Sequence, residues 1–283
     1  MEAKKQLISR IEQEIPYSLK NGEEFKYIEP FVGGGAILFW ILQRYKNITH
    51  AIINDINKDL IDTYTTIKYN PSELILELKK IQDDYLKLTE NARKEFFLEN
   101  RELFNKKIEN RVLNSALFIF LNKTCFNGLY RVNSKGLFNA AFGKYTNPKI
   151  CDERTIVDDC ELLQNVEIIH GDFYDTLQYA SNNSFYYIDP PYRPLSTTSS
   201  FNLYAKEAFN DGEQIRLKNF CLELNNRSAN FCLSNSDPKN TDTNDNFFDD
   251  LYSAFEIKRV YANRTVNTDS SKRGKLSEII VTN

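Results

Sequence analysis

Phe25-Lys26-Tyr27-Ile28-Glu29-Pro30-Phe31-Val32-Gly33-Gly34-Gly35-Ala36-Ile37-Leu38-Phe39-Trp40-Ile41-Leu42-Gln43-Arg44-Tyr45 is the stretch on which the fold turns. Residues 25–29 carry the aromatic and aliphatic side chains of a short strand, 30–35 form a glycine-rich turn, and 36–45 are apolar enough for a helix that packs on a sheet. The next apolar run, Ala51-Ile52-Ile53, ends in Asn54-Asp55 and reads as a second strand with a carboxylate at its carboxyl end. A strand, turn and helix followed by another strand is the opening half of a doubly wound α/β sheet.

Working outward, residues 58–121 change to helical spacing: Leu60, Ile61 and Tyr64, then Leu74, Leu78 and Ile81, then Val112, Leu113, Ala116 and Leu117. Residues 129–132 and 137–140 flank Asn133-Ser134-Lys135-Gly136, the pattern of a β-hairpin with a glycine in its turn. Strand patterns resume at 166–169, before Gly171-Asp172, and at 185–188, before Asp189. Residues 231–234 read as another buried strand, and 255–261 and 276–281 as an antiparallel pair around a basic loop. The expected organisation is a sheet-bearing domain made of residues 1–55 and 151–283. Residues 56–150 form an inserted, mostly helical module that carries one hairpin.

The chain has 283 residues, 41% of them hydrophobic and 27% charged, a composition that excludes a disordered or fibrous protein. The longest apolar run, 36–42, is too short to span a bilayer, and the charged start of the chain does not resemble a signal peptide, so a cytoplasmic location is expected. Five cysteines without C-x-x-C spacing argue for reduced thiols and against a zinc site; no metal is expected. The formal charge of −3 is unevenly spread. Nine Lys or Arg against Glu102 and Glu109 make residues 101–150 locally basic, as a nucleic-acid-binding face requires. Lys258, Arg259, Arg264, Lys272, Arg273 and Lys275 form a second basic run suited to phosphates.

The chemistry is concentrated in short motifs. In Phe31-Val32-Gly33-Gly34-Gly35 the glycines let backbone approach a bound molecule closely. Asp55, 20 residues beyond Gly35, stands where a carboxylate accepts hydrogen bonds from a ribose diol. The turn lacks the third glycine of a dinucleotide fingerprint and no G-K-[ST] follows, which leaves S-adenosylmethionine as the nucleoside cofactor that fits. Asp172 is a candidate acceptor for the amino group of that cofactor's adenine.

The decisive run is Phe185-Tyr186-Tyr187-Ile188-Asp189-Pro190-Pro191-Tyr192, a buried strand that ends in D-P-P-Y. An exocyclic amine on a nucleobase is a poor nucleophile because its lone pair is delocalised into the ring. Asp189, acceptor-only when ionised, can take one amine N–H and the carbonyl of Pro190 the other, which localises the pair on nitrogen. Two prolines hold φ near about −65° and remove competing N–H donors. Tyr192 offers a ring on which a flipped base can stack. Positioning and preorganised acceptors supply the rate in such a site, without a covalent intermediate.

In order along the chain, F-x-G-G-G, N-D, a hairpin region and D-P-P-Y resemble the α-class amino-methyltransferases of the DNA adenine methyltransferase (Dam) family. Asn127-Gly128-Leu129-Tyr130-Arg131-Val132-Asn133, Gly136-Leu137-Phe138-Asn139, Phe142-Gly143-Lys144-Tyr145 and Pro194-Leu195-Ser196, with Phe201 and Tyr204, resemble its GATC-modifying branch in particular. The resemblance implies a Rossmann-like methyltransferase sheet with an inserted DNA-recognition module. It also implies transfer of a methyl group from S-adenosylmethionine to N6 of a flipped adenine in duplex DNA. By position, Lys4, Phe31, Gly33, Gly34, Gly35, Asp55 and Asp172, together with Asp189, would line the cofactor site, and Asp189, Pro190, Pro191 and Tyr192 the catalytic loop. Phe126, Asn127, Leu129, Arg131, Asn133, Asn139 and Lys144 would meet DNA, with Phe126 entering the duplex, Leu129 touching a base and Arg131 reading guanine. Double-stranded DNA is the expected partner, and a cognate restriction endonuclease is compatible as a functional counterpart.

Other readings stay open at this level. Methylation of cytosine N4 uses the same amine logic, a catalytically silent relative could bind DNA alone, and an NAD-dependent enzyme is a distant third. With two histidines and no G-x-S-x-G, a hydrolase triad finds no support.

Overall fold

The computed structural model describes residues 2–193, 209–263 and 275–283, apart from the side chains of 2–7, 262–263 and 275–276. Its strands are β1 (Phe25–Glu29), β2 (Ile48–Asp55), β3 (Val166–His170), β4 (Ser184–Ile188), β5 (Asn230–Ser236), β6 (Glu256–Asn263) and β7 (Lys275–Thr282). Its helices are α1 (Glu2–Glu14), α2 (Tyr17–Lys20), α3 (Ala36–Arg44), α4 (Lys58–Tyr69), α5 (Pro71–Leu86), α6 (Glu90–Asn105), α7 (Arg111–Thr124), α8 (Glu153–Leu163), α9 (Asp211–Asn226) and α10 (Phe247–Leu251). The chain divides into two compact units, Met1–Ile56 with Gly171–Asn283, and Asn57–His170.

In the first unit the strands stand in the order β2-β1-β4-β5-β7-β6. β1 pairs in parallel with β2 on one side and with β4 on the other, and β4 pairs in parallel with β5. β7 runs antiparallel to both β5 and β6. Every residue of β4 is buried, as expected of a central parallel strand covered on both faces. The aromatic residues Phe25, Tyr27, Phe185, Tyr186 and Phe231 fill the sheet's core, and α9 adds Leu217, Phe220 and Leu224. This is the doubly wound α/β architecture read from the sequence. Because β2 and β4 flank β1, the strand order reverses at β1, and an open crevice is expected at the carboxyl ends of β1 and β4.

The second unit has its own core. Leu74, Leu78 and Tyr85 of α5, Phe97 and Phe104 of α6, and Leu117, Phe120 and Leu121 of α7 are buried together. Phe120 meets Tyr85 and Phe96 edge to face at 5.5 and 5.7 Å. Asn57 caps α4 and Asn110 caps α7, the first side chain accepting two backbone N–H groups of the first turn and the second one. Reading the sequence alone ends this module at 150, whereas the compact unit continues through α8 and β3 to His170. The reason is packing: α8 lies against α4 and α5, and its Ile156 joins their core.

The expected hairpin is present as two isolated antiparallel bridges, Cys125 with Phe142 and Val132 with Phe138. Asn133 and Leu137 close its turn, with the Asn133 amide donating to the Leu137 carbonyl at 2.8 Å. Gly136, at φ +71°, takes the left-handed conformation that the turn needs.

Candidate active site

A cleft of about 640 Å³ opens in the first unit at the reversal of strand order. Pro30, Phe31 and Gly33 come from the segment after β1, Asn54, Asp55 and Ile56 from the end of β2, and residues 189–192 from the end of β4. The wall is completed by Gly171 to Phe173 and by Phe209, Asn210 and Glu213 around the start of α9. Four carboxylates, those of Asp55, Asp172, Asp189 and Glu213, therefore stand on one cleft.

The glycine turn is tied down by backbone bonds. Val32 donates to the Asn54 carbonyl and Gly35 to the Val32 carbonyl, both at 3.0 Å, while the Gly33 amide donates to Asp55 Oδ2 at 3.1 Å. Gly33 and Gly35 have φ of +49° and +67°, a region costly for other residues. A Cβ on Gly33 would meet nothing within 4 Å among the described residues, so the space above the turn is open. Of the residues expected to hold a cofactor, Phe31, Gly33, Asp55, Asp172 and Asp189 line the cleft, whereas Gly34 and Gly35 shape the turn without lining it. The side chain of Lys4 lies outside the described residues.

Asp172 reaches the cleft already engaged. Arg216 grips both of its oxygens at 2.6 and 2.8 Å, and the Tyr174 amide donates to Oδ1 at 2.9 Å. Burial pushes its pKa up, but the guanidinium and amide bonds outweigh that and hold the carboxyl below its ordinary value. Arg216 lies over the rings of Phe173 and Tyr174. Phe31 packs at 5.2 Å against Phe173 and edge-on at 5.6 Å against Phe209, giving one side of the cleft an aromatic surface.

Asp189 sits at the end of β4 with Pro190 buried behind it, and Pro191 and Tyr192 exposed. The Ser234 hydroxyl of β5 donates to Asp189 Oδ1 at 3.2 Å, and Tyr187 lies 3.0 Å from Ser234 Oγ. Since the Ser234 proton goes to the carboxylate, the Tyr187 hydroxyl must donate to Ser234, and the chain of hydroxyls runs one way. Burial, then the charge of Asp189, keeps Tyr187 protonated well above the ordinary tyrosine range. Beneath lies Glu29, 2% exposed, which accepts a very short bond from the Tyr27 hydroxyl. Burial raises the Glu29 carboxyl from 4.5 to about 8, the charge of Asp189 adding to burial and the Tyr27 bond opposing it.

Glu29, Ser234 and Tyr187 are not evident as site residues in the sequence; the polar end of an otherwise buried run, Ser234-Asn235-Ser236, is the faint signal for one of them. Asn54 is another. Its Nδ2 donates to the carbonyls of Pro30 at 3.0 Å and Gly171 at 3.1 Å, which fixes the amide and leaves Oδ1 buried without a partner among the described residues.

In the second unit, Phe126 and Leu129 are exposed large hydrophobic side chains at 58% and 62%, rather than core residues beneath the hairpin. Arg131 is exposed too, and its guanidinium donates to the side-chain and backbone oxygens of Asn139 at 2.9 and 2.8 Å. Asn127 takes φ +57° beside Gly128 at +61°, turning the chain between Phe126 and Leu129. The Asn133 side chain accepts from the amides of Lys135 and Leu137, which commits it to the hairpin turn. Lys144 pairs with Glu90 at 3.2 Å in an exposed bridge. In the second basic run, Lys258 pairs with Glu14 and Glu256, and Arg259 with Asp237 and Asp249, so these two cations are held within the fold. Arg264, Lys272 and Arg273, the side chain of Lys275, and the stretch 194–208 with Pro194, Leu195, Ser196, Phe201 and Tyr204 lie outside the described residues.

A carboxylate acceptor at a switch point, beside a glycine turn, suits an enzyme that transfers a group to an amino nitrogen. Comparison with known proteins says which: residues 3–266 match the model of the D12 class N6 adenine-specific DNA methyltransferases, and the chain belongs to that family. It is 48% identical over 272 residues to the Type II methyltransferase M.MjaIII of Methanocaldococcus jannaschii, covering 95% of this chain and 92% of that protein. It is 37% identical over 285 residues to the Type II methyltransferase M1.LlaDCHI of Lactococcus lactis subsp. cremoris (99% and 92%). A DNA adenine methylase of Vibrio cholerae is 32% identical over 276 residues (97% and 90%). Adenine-specific DNA methylation is therefore the enzyme's reaction class. Among the described residues, no helix is long and apolar enough to cross a membrane, and no cluster of His, Cys, Asp and Glu could hold a metal.

Proposed function

We propose that the chain uses S-adenosylmethionine to methylate N6 of an adenine flipped from duplex DNA, within GATC. The observation that carries the cofactor is the cleft's charge and its orphaned acceptor. Four carboxylates on its walls, two of which (Asp172 and Glu213) share the guanidinium of Arg216, leave a net negative cleft that suits a ligand bearing an ammonium and a sulfonium, and repels the phosphates of a dinucleotide or ATP. Asp55 beside the open glycine turn suits a ribose diol, and the aromatic surface of Phe31 and Phe173 suits an adenine ring. The buried Asn54 Oδ1 is a further acceptor that such a ligand can satisfy. When bound, this cofactor supplies an electrophilic methyl group on sulfur.

The protein's part is to make the adenine amine nucleophilic. Asp189, oriented by Ser234 and Tyr187, accepts one N–H and the carbonyl of Pro190 the other, and the half-exposed ring of Tyr192 stacks on the base. Two donated bonds draw the lone pair onto nitrogen and hold it in line for displacement. Asp172, Pro191 and the glycines act by shaping the cleft around these groups.

The hairpin is the proposed DNA reader. Phe126 and Leu129 are exposed at a cost that contact with bases would offset, and Arg131, held flat against Asn139, presents a guanidinium fork to guanine O6 and N7. Asn127 shapes the backbone there, Asn133 holds the turn, and Lys144 is available to phosphate once it exchanges Glu90. A role as the modification partner of a restriction endonuclease of the same specificity accords with the names of the two Type II relatives above.

The test is to incubate the purified protein with S-adenosylmethionine carrying a labelled methyl group and duplexes that contain or lack GATC. Digestion to nucleosides should yield N6-methyladenine from the first duplex alone. Label in N4-methylcytosine, or equal label in both duplexes, would refute the target atom or the site respectively.

A further inference from the structure

Arg193 follows Tyr192 directly and is heavily anchored. Its Nε and one terminal nitrogen form a fork on Asp211 at 2.7 and 3.0 Å, and the other terminal nitrogen reaches Asp245 at 2.8 Å. The guanidinium lies over the Phe247 ring, 4.1 Å from its centre. The Arg193 side chain is 23% exposed, so these charges are partly withdrawn from water. One residue earlier than Tyr192, the Pro191 carbonyl accepts a long bond, 3.5 Å, from Nε2 of Gln214. Gln214 is fully buried, and its Oε1 accepts from Asn235 of β5 at 3.3 Å. Asp211 and Gln214 stand one turn apart on α9 and share a face.

We infer that Arg193 is a positioning residue for methyl transfer: it fastens the exit of the D-P-P-Y turn to the first turn of α9 and to Asp245, and thereby fixes Tyr192 and the Pro190 carbonyl. Prolines remove the amides through which a turn usually bonds to its surroundings, so this turn must be held from its flanks. On the entry side β4 does this; on the exit side Gln214 and the Arg193 fork contribute. A planar fork on a carboxylate fixes both direction and distance, which a lysine ammonium does not reproduce. Displacements of about 1 Å are enough to lower a transfer rate a hundredfold.

The inference rests on the function proposed above, and the test separates the two. Single-turnover methylation is measured for the wild type, Arg193→Ala, Arg193→Lys and Asp245→Asn, alongside S-adenosylmethionine affinity and thermal midpoint. The expected result is a fall of at least tenfold in the transfer rate constant of Arg193→Ala, with cofactor affinity within twofold of wild type. Asp245→Asn, which takes the charge from one arm and keeps the fork, should fall less, and Arg193→Lys should lie between. In a background of Asp211→Asn, Arg193→Ala should cost less than it does alone, because the two share one interaction. A wild type that transfers no methyl group overturns the proposed function and this role with it. An active wild type matched by a folded Arg193→Ala overturns the positioning role alone, as does loss confined to the thermal midpoint. If Arg193→Ala does not fold, the same reading applies to Asp245→Asn and Arg193→Lys: unaltered rate constants in both refute it.

Discussion

Replacing Glu29 by glutamine should remove the pH dependence that this one group gives to the stability of the sheet-bearing unit between about pH 4.5 and 8. Glu29 is fully buried and keeps its proton to about pH 8, against an ordinary value of 4.5. The unfolded chain releases that proton near 4.5, so the folded state binds it more tightly. Stability from this group is complete below 4.5 and is lost progressively as pH rises to about 8. Within that window one proton's difference costs about 1.4 kcal/mol per pH unit, so a rise from about pH 5.5 to 7.5 should remove about 2–3 kcal/mol. For a unit of this size that is a fall of about 5–10 °C in thermal midpoint. The amide introduced by Glu29→Gln would be neutral throughout and would still accept the Tyr27 hydroxyl, leaving the packing intact. Thermal melts of wild type and Glu29→Gln at matched pH values should therefore converge at low pH and diverge on the alkaline side. Parallel curves between pH 5.5 and 7.5 would show that Glu29 does not carry the proton and would refute the reasoning.

Asp189→Asn should lower methyl transfer by about a hundredfold or more, with cofactor binding retained, as equilibrium binding and single-turnover assays would show. Gly143→Ala places a Cβ 2.6 Å from the Cys125 carbonyl oxygen at the base of the hairpin. That overpacking should cost about 1–3 kcal/mol, read by denaturant melts of the helical unit and by weaker DNA binding. Arg131→Ala should lose about 1–3 kcal/mol of discrimination at the guanine position, measured by competition between GATC duplexes and single-base variants. Asn54→Ala strips the donors from the Pro30 and Gly171 carbonyls and should cost about 1–3 kcal/mol, seen in a lower thermal midpoint and weaker S-adenosylmethionine affinity.

Much of this molecule is legible because its signals are local. The Gly33 and Gly35 conformations, the N-D pair and the prolines after Asp189 each follow from a few neighbouring residues, and the hairpin declares itself through Asn133 and Gly136. What stays hidden depends on partners distant in the chain. The helix Glu153–Leu163 draws no reading from its sequence, and its place is decided by shape against α4 and α5. Asp172 looks like a plain binding carboxylate until Arg216, 44 residues on, closes over it. Arg193 looks like a loop cation, and Ser234 like a minor polar residue in a strand. Glu29 is the clearest case, since a strand-end glutamate says nothing of its burial beside Tyr27 or of the proton it keeps.

The helical unit has one continuous buried cluster running from Leu74 to Ile156. On the proposed function, a change of side chains on its hairpin should alter the site methylated and leave the transferred group the same, and chimeras that exchange residues 57–170 between relatives test this by the sequence context of the methylated adenines.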